Sequence, residues 1–231
     1  NRVQGVVRNG DVVDVTVKSK EGVEKVITSE VVLLSTGRKP FTKGLGLDTM
    51  NIEMDRHQIK VNDKYQTNIP SIYAIGDVIA GPMLAHKAEE EGVFVIDHLT
   101  GKTGHLDYSC IPGVIFTNPE VATVGKSEDE LKAAGVNYRV GKYSFTGNSR
   151  AQANRDTNGL VKIMVNADTN RILGAHLIGP QAGELIQEIV VAMSNGITAE
   201  GIMRTCHSHP CLNETVKEAA TSATLGKALY E

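Results

Sequence analysis

Cys206-His207-Ser208-His209-Pro210-Cys211-Leu212-Asn213-Glu214 lies close to the end of a 231-residue chain. Pro210 fixes its own φ and keeps His209 out of the α region. His209 is therefore read as extended, with a helix beginning just beyond it. That helix is expected over residues 212–223, where Leu212, Val216, Ala219, Ala220 and Ala223 recur at three- and four-residue spacing. Glu214 falls in its first turn, where the helix dipole favours a carboxylate, and from there it can reach back to the His209 ring. A histidine aimed by a carboxylate is the usual build of a general acid/base. The same pattern also fits a histidine satisfied by local hydrogen bonds at a helix start, and His207 reads as a packing neighbour.

Composition narrows the classes around that segment. Length allows one large domain or two ordinary ones. A hydrophobic content of 41 % suits a globular chain, and no apolar run approaches the ~20 residues of a membrane span. Net charge of −3 and an isoelectric point near 6.2 give no footprint for nucleic acid. Cys110, Cys206 and Cys211 form neither a disulfide framework nor a zinc pattern, which points to a reducing compartment. Cys206 and Cys211 have C-x4-C spacing, but Pro210 and the helix start between them argue against a redox pair. No initiator Met, signal or transit peptide is present, and Asn1 opens in what reads as the middle of a β-rich segment. A leading portion is expected to be missing.

Upstream, residues 3–7, 12–17 and 26–27 alternate as strands, with Asn9-Gly10-Asp11 as a hairpin turn. Val31-Val32-Leu33-Leu34 reads as a strand buried on both faces. Gly37 follows it, where a ligand could approach the backbone or where the chain simply turns. Residues 41–70 are loop-rich. Residues 71–77 then read as a second short buried strand ending in Gly76-Asp77. Asp77 could accept from ligand hydroxyls or serve only as a turn residue. A helix is expected over 83–99, its positive end favouring anionic or electron-rich ligand atoms.

Beyond residue 108, strands and helices mix without a βαβ rhythm. Strands are expected at 114–116, 120–124, 138–143, 160–165 and 171–178, with a turn at 167–170. Ser127-Glu128-Asp129-Glu130 fits a capping box opening a helix to 134. A longer helix over 181–195 carries Leu185, Ile189, Ala192 and Met193 on one face and closes at Gly196. A short helix over 199–204 leads into the histidine segment.

Taken together, these motifs resemble the dihydrolipoamide dehydrogenase branch of the pyridine nucleotide-disulfide oxidoreductase family. Thr67 to Asp77 followed by Gly81-Pro82-Met83-Leu84-Ala85-His86-Lys87-Ala88 resembles its second flavin-binding motif. Asn118-Pro119-Glu120-Val121 with Val124-Gly125 is similar to the start of its interface domain, and His207-Ser208-His209-Pro210 with Glu214 to its catalytic C-terminal segment. The resemblance covers the whole chain but only about the C-terminal half of a family member.

It implies an α+β fold: an interface domain of antiparallel sheet and flanking helices over 106–231. Before it would come the end of an NAD-binding domain (1–40) and the return segment of an FAD-binding domain (41–105). It implies that Asp77 holds the ribityl chain of FAD, that Met83, Leu84, Ala85 and His86 line the flavin, and that Gly37, and Val3 at the adenine end, contact NAD. His209 would be the acid/base for protein-bound dihydrolipoamide, aimed by Glu214, with electrons passing through an enzyme disulfide and FAD to NAD+. It further implies a homodimer in which each His209 serves the other subunit, and lipoyl domains of 2-oxo acid dehydrogenase complexes as partners. The compartment would be the mitochondrial matrix, or the cytoplasm of a bacterium.

Three features depart from the family. Neither G-x-G-x-x-G nor the redox-active C-x4-C of a complete member occurs, and Cys211 stands where Thr is expected, forgoing an N-cap worth about 0.5–2 kcal/mol. The chain alone is therefore expected to be inactive. A glutathione reductase-like enzyme and a dimerisation module without chemistry are the alternatives.

Overall fold

The structure, a computed structural model, describes residues 1–230. It divides into two compact units, residues 1–89 and residues from 90 onward.

In the first unit, β1 (Arg2–Asn9), β2 (Val12–Lys18) and β3 (Glu24–Ser29) form an antiparallel meander. Asn9 pairs with Val12, so Gly10-Asp11 is a two-residue turn, with Gly10 at φ +64°. That is the hairpin the sequence suggests. A minimal hairpin of β4 (Met54–Asp55) and β5 (Gln58–Ile59) was not anticipated.

Two expected strands are absent. Residues 31–34 take no regular structure and their side chains point outward, Leu33 being 86 % exposed. Residues 71–77 hold only a single bridge from Tyr73 to Gln66, then a 3-10 turn at Gly76–Val78. The physical reason is shared. A strand apolar on both faces is stable only with neighbours to pair with, and every strand pairing among the described residues is antiparallel and made elsewhere. Helix α1 (Ala85–Leu99) begins two residues later than expected. Gly76, at φ +73°, lies where a Cβ would stand 3.0 Å from the Ala88 Cβ, so the turn rests directly on α1.

The second unit is built on an antiparallel sheet ordered β6-β7-β10-β9-β8, the architecture the resemblance implies. Its strands are β6 (Gly113–Ile115), β7 (Glu120–Gly125), β8 (Tyr138–Ser144), β9 (Leu160–Asn166) and β10 (Ile172–Gly179). Helix α2 (Glu128–Ala133) opens with the expected capping box between Ser127 and Glu130. The short helix α3 (Ser149–Asn154) was missed; Asn148 caps it. Helices α4 (Ala182–Ser194), α5 (Ala199–Arg204) and α6 (Glu214–Leu225) complete the unit.

Helix α4 lies over β7 and β10, and α6 over β8 and β9. One cluster of buried side chains joins them: Val124, Ile163 and Leu177 from the sheet, Ile186 and Ile189 from α4, Val216 and Ala220 from α6. Small residues let α6 come very close. A Cβ on Gly141 of β8 would stand 2.1 Å from the Ala219 carbonyl oxygen and 2.2 Å from the Ala223 nitrogen. The first turn of α4 is held by Glu120, whose Oε2 accepts from the Gly183 N–H at 2.9 Å. These two helices set the frame for the histidine loop. Among the described residues no helix is long and apolar enough to cross a membrane.

Candidate active site

Residues 205–213 form the connection from α5 to α6. Thr205 leaves α5 in an extended conformation (φ −71°, ψ 136°), and the His209-Pro210 peptide is cis. His209 Nδ1 lies 2.9 Å from Glu214 Oε1. Glu214 Oε2 accepts from the Cys211 N–H at 2.9 Å, so one carboxylate holds both the ring and the loop that carries it. The His209 side chain is 68 % exposed and that of Glu214 26 %. Burial raises the Glu214 carboxyl, but the Cys211 N–H and the His209 ring outweigh it and hold the group below the usual carboxylate value. With Nδ1 on the carboxylate, Nε2 is the ring nitrogen left for a further partner.

A cleft of about 550 Å³ opens beside this pair, with Tyr143, Asn148, His207, Lys217 and Glu218 on its walls. Burial, with the charges of Glu218 and Glu214, pushes the Tyr143 hydroxyl up. Asn148 is buried. Its Oδ1 caps α3 at Ala151, and its Nδ2 donates to the Cys211 carbonyl at 2.9 Å. His207 is more than a packing neighbour: Nε2 lies 2.7 Å from Glu188 Oε1 and Nδ1 3.0 Å from the Thr205 carbonyl. Neither Asn148 nor Glu188 was singled out from the sequence. The available signals were a carboxylate at 188, inside the apolar stripe of α4 between Leu185 and Ile189, and an Asn at 148 able to cap a helix.

The other expected site residues lie in the first unit or on α1. Asp77 sits on the 3-10 turn, its Oδ2 3.5 Å from Arg38 Nη2, and Arg38 also donates to the Met83 carbonyl. Arg38 follows Gly37, which is exposed at φ +91°. Residues 77 and 83 are thus joined by the guanidinium of the residue that follows Gly37. Met83 and Leu84 are half-buried before α1, while Ala85 and His86 are exposed in its first turn. Val3 is exposed on β1, and among the described residues no side-chain hydrogen bond joins it to that group. The partly exposed Asp77 carboxylate beside the positive end of α1 fits the hydroxyls and carbonyls along one edge of a flavin. Among the described residues no cluster could hold a metal ion, and all three cysteines are free.

Comparison with known proteins bears on both units. The pyridine nucleotide-disulphide oxidoreductase model matches residues 1–92, and the dimerisation-domain model of the same family matches residues 111–220. The mitochondrial dihydrolipoyl dehydrogenase of Homo sapiens is 50 % identical over 231 residues, covering 99 % of this chain and 45 % of that protein. That of Caenorhabditis elegans is 47 % identical over 230 residues, covering 99 % and 46 %. The chain spans about half the length of the curated relatives it matches. Among solved structures, LpdA from Mycobacterium tuberculosis aligns with a TM-score of 0.86 at 30 % identity, over 95 % of this chain and 48 % of that one. The flavoprotein disulfide reductase RclA from Escherichia coli shares the fold, with a TM-score of 0.85 at 24 % identity over 95 % and 50 %. Two models of one family, matched in sequence along both units, together with this similarity over nearly the whole chain, show that the chain belongs to the pyridine nucleotide-disulphide oxidoreductase family.

Proposed function

We propose that this chain is part of a dihydrolipoyl dehydrogenase, in which His209 is the acid/base for the dithiol and Glu214 aims it. The observation that carries this reading is the 2.9 Å pairing of His209 Nδ1 with Glu214, which turns Nε2 outward beside the cleft. The names of the most similar relatives support the choice of substrate. A dithiol has thiols with pKa near ~8.5, and only the thiolate attacks a disulfide. A neutral His209 takes the thiol proton on Nε2 while Nδ1–H stays on Glu214. The thiolate sulfur then bonds to one sulfur of the enzyme disulfide as the old S–S bond breaks. A positioned base of this kind is worth about 10²–10⁴ in rate. The second thiol of the substrate then displaces that enzyme sulfur, closing the lipoyl disulfide and leaving an enzyme dithiol, for which FAD, when bound, would supply the electron acceptor on the way to NAD+.

In this reading residues 1–40 end an NAD-binding domain, residues 41–105 return to an FAD-binding domain, and residues 106–231 pair two subunits. Asp77, Met83, Leu84, Ala85 and His86 hold FAD, while Gly37 and Val3 meet NAD. Lipoyl domains of 2-oxo acid dehydrogenase complexes present the dithiol, in the mitochondrial matrix that the names of the relatives suggest.

The test is His209→Gln in the full-length enzyme. Dihydrolipoamide oxidation is expected to fall by about 10²-fold or more, with reduction of ferricyanide by NADH retained because that reaction bypasses the dithiol. An unchanged rate refutes the assignment. Residues 1–231 alone are expected to show no turnover, and steady-state activity from them would refute the part-enzyme reading.

A further inference from the structure

The loop that carries His209 is pinned on both sides of that residue by a single carboxylate from another helix. Glu188, on α4, places Oε1 2.7 Å from His207 Nε2 and accepts from Asn213 Nδ2 on Oε2 at 2.8 Å. His207 lies two residues before His209, and Asn213 lies immediately before Glu214. One residue on each side of the imidazole is therefore tied to α4, and the second adjoins the carboxylate that aims it. The His207 side chain is only 8 % exposed. Its Nδ1 faces the Thr205 carbonyl, which also accepts from Lys217 Nζ of α6 at 3.0 Å. Both ring nitrogens thus lie within hydrogen-bond distance of a fixed oxygen.

Asn213 supplies a second, independent observation. It immediately precedes α6 with a helical backbone (φ −63°, ψ −20°), and its side chain makes no capping bond. Its amide is turned to Glu188 instead. Glu188 can hold that load because α4 is itself fixed, by Glu120 at its first turn and by Leu185, Ile186 and Ile189 in the core. His209 has no such packing. Its ring is largely exposed and, among the described residues, bonded to Glu214 alone, so its place depends on the backbone of its loop.

We propose that Glu188, acting through His207 and Asn213, is a positioning residue for His209. This rests on the acid/base reading above. Proton transfer needs heavy atoms about 2.6–3.2 Å apart, and a misplacement near 1 Å can cost about 10²-fold.

The experiment is a double-mutant cycle in the full-length flavoenzyme. Glu188→Ala is expected to lower kcat for dihydrolipoamide oxidation by about 10- to 100-fold, with ferricyanide reduction by NADH and flavin content held within about twofold. Because Glu188 acts through His209, adding Glu188→Ala to His209→Gln should cost nothing more. Equal losses in both backgrounds, or a parallel loss of the ferricyanide reaction, would show a merely structural role and overturn the proposal. Should Glu188→Ala yield no folded flavoprotein, Asn213→Ala decides. It is expected to lower turnover by about 3- to 10-fold in the parent and not at all beside His209→Gln, and an unchanged parent rate overturns the proposal. Impaired His209→Gln beside normal Glu188→Ala sinks this inference alone, whereas normal His209→Gln sinks the acid/base reading with it.

Discussion

Glu214 uses its two oxygens for different purposes, one on the His209 ring and one on the Cys211 N–H. Replacing it with Gln keeps the shape and removes the charge, so turnover of the full enzyme should fall by about 10²-fold, as read in dithiol oxidation. The same carboxylate makes a pH prediction. Its folded pKa lies below the ordinary value of 4.5, so its stabilising effect is present above that value and lost as pH falls through the folded one. The difference in Tm between parent and Glu214→Gln should be flat above about pH 5.5 and shrink below 4.5; a difference that grows on acidification would contradict the pairing. Cys211 offers a gain. Its N–H already receives Glu214, which is one half of a capping box, and a hydroxyl at 211 would supply the other half. Cys211→Ser should add about 0.5–2 kcal/mol, which is a few degrees in Tm by calorimetry.

The helices carry the next set of consequences. Gly141 is the contact point of β8 with α6, and any side chain there meets backbone of α6, at Ala219 and Ala223. Gly141→Ala should cost about 1–3 kcal/mol by chemical denaturation, and because α6 begins at Glu214 it should also lower turnover. At this scale the sequence was informative wherever a signal is local. The Ser127 box, the Gly10 turn, the periodicity of α4 and the Glu214 reach over five residues all involve neighbours in the chain. Val31–Leu34 and residues 71–77 misled because an apolar run records a wish for burial, and only pairing partners decide whether a strand forms. Glu188 was passed over for a different reason. Its partners lie 19 and 25 residues away, brought to it by the packing of α4 and α6 on one sheet. Helix α3 was missed because six residues are too few for a periodic pattern, although its Asn148 cap was there to be read.

On the molecule as a whole, the second unit ends its sheet on β6, with Phe116 just beyond it, 83 % exposed, and Ile115 exposed beside it. The dimerisation-domain match supports a second subunit as their cover. Phe116→Glu is expected to shift the full-length protein from dimer toward monomer in sedimentation velocity; an unchanged dimer would place the contact elsewhere. The open run at Val31, Leu33 and Leu34 has a different consequence. Uncovered apolar side chains in an extended segment are a place where another stretch of polypeptide packs, and binding of a hydrophobic dye should report how much of that surface stays open.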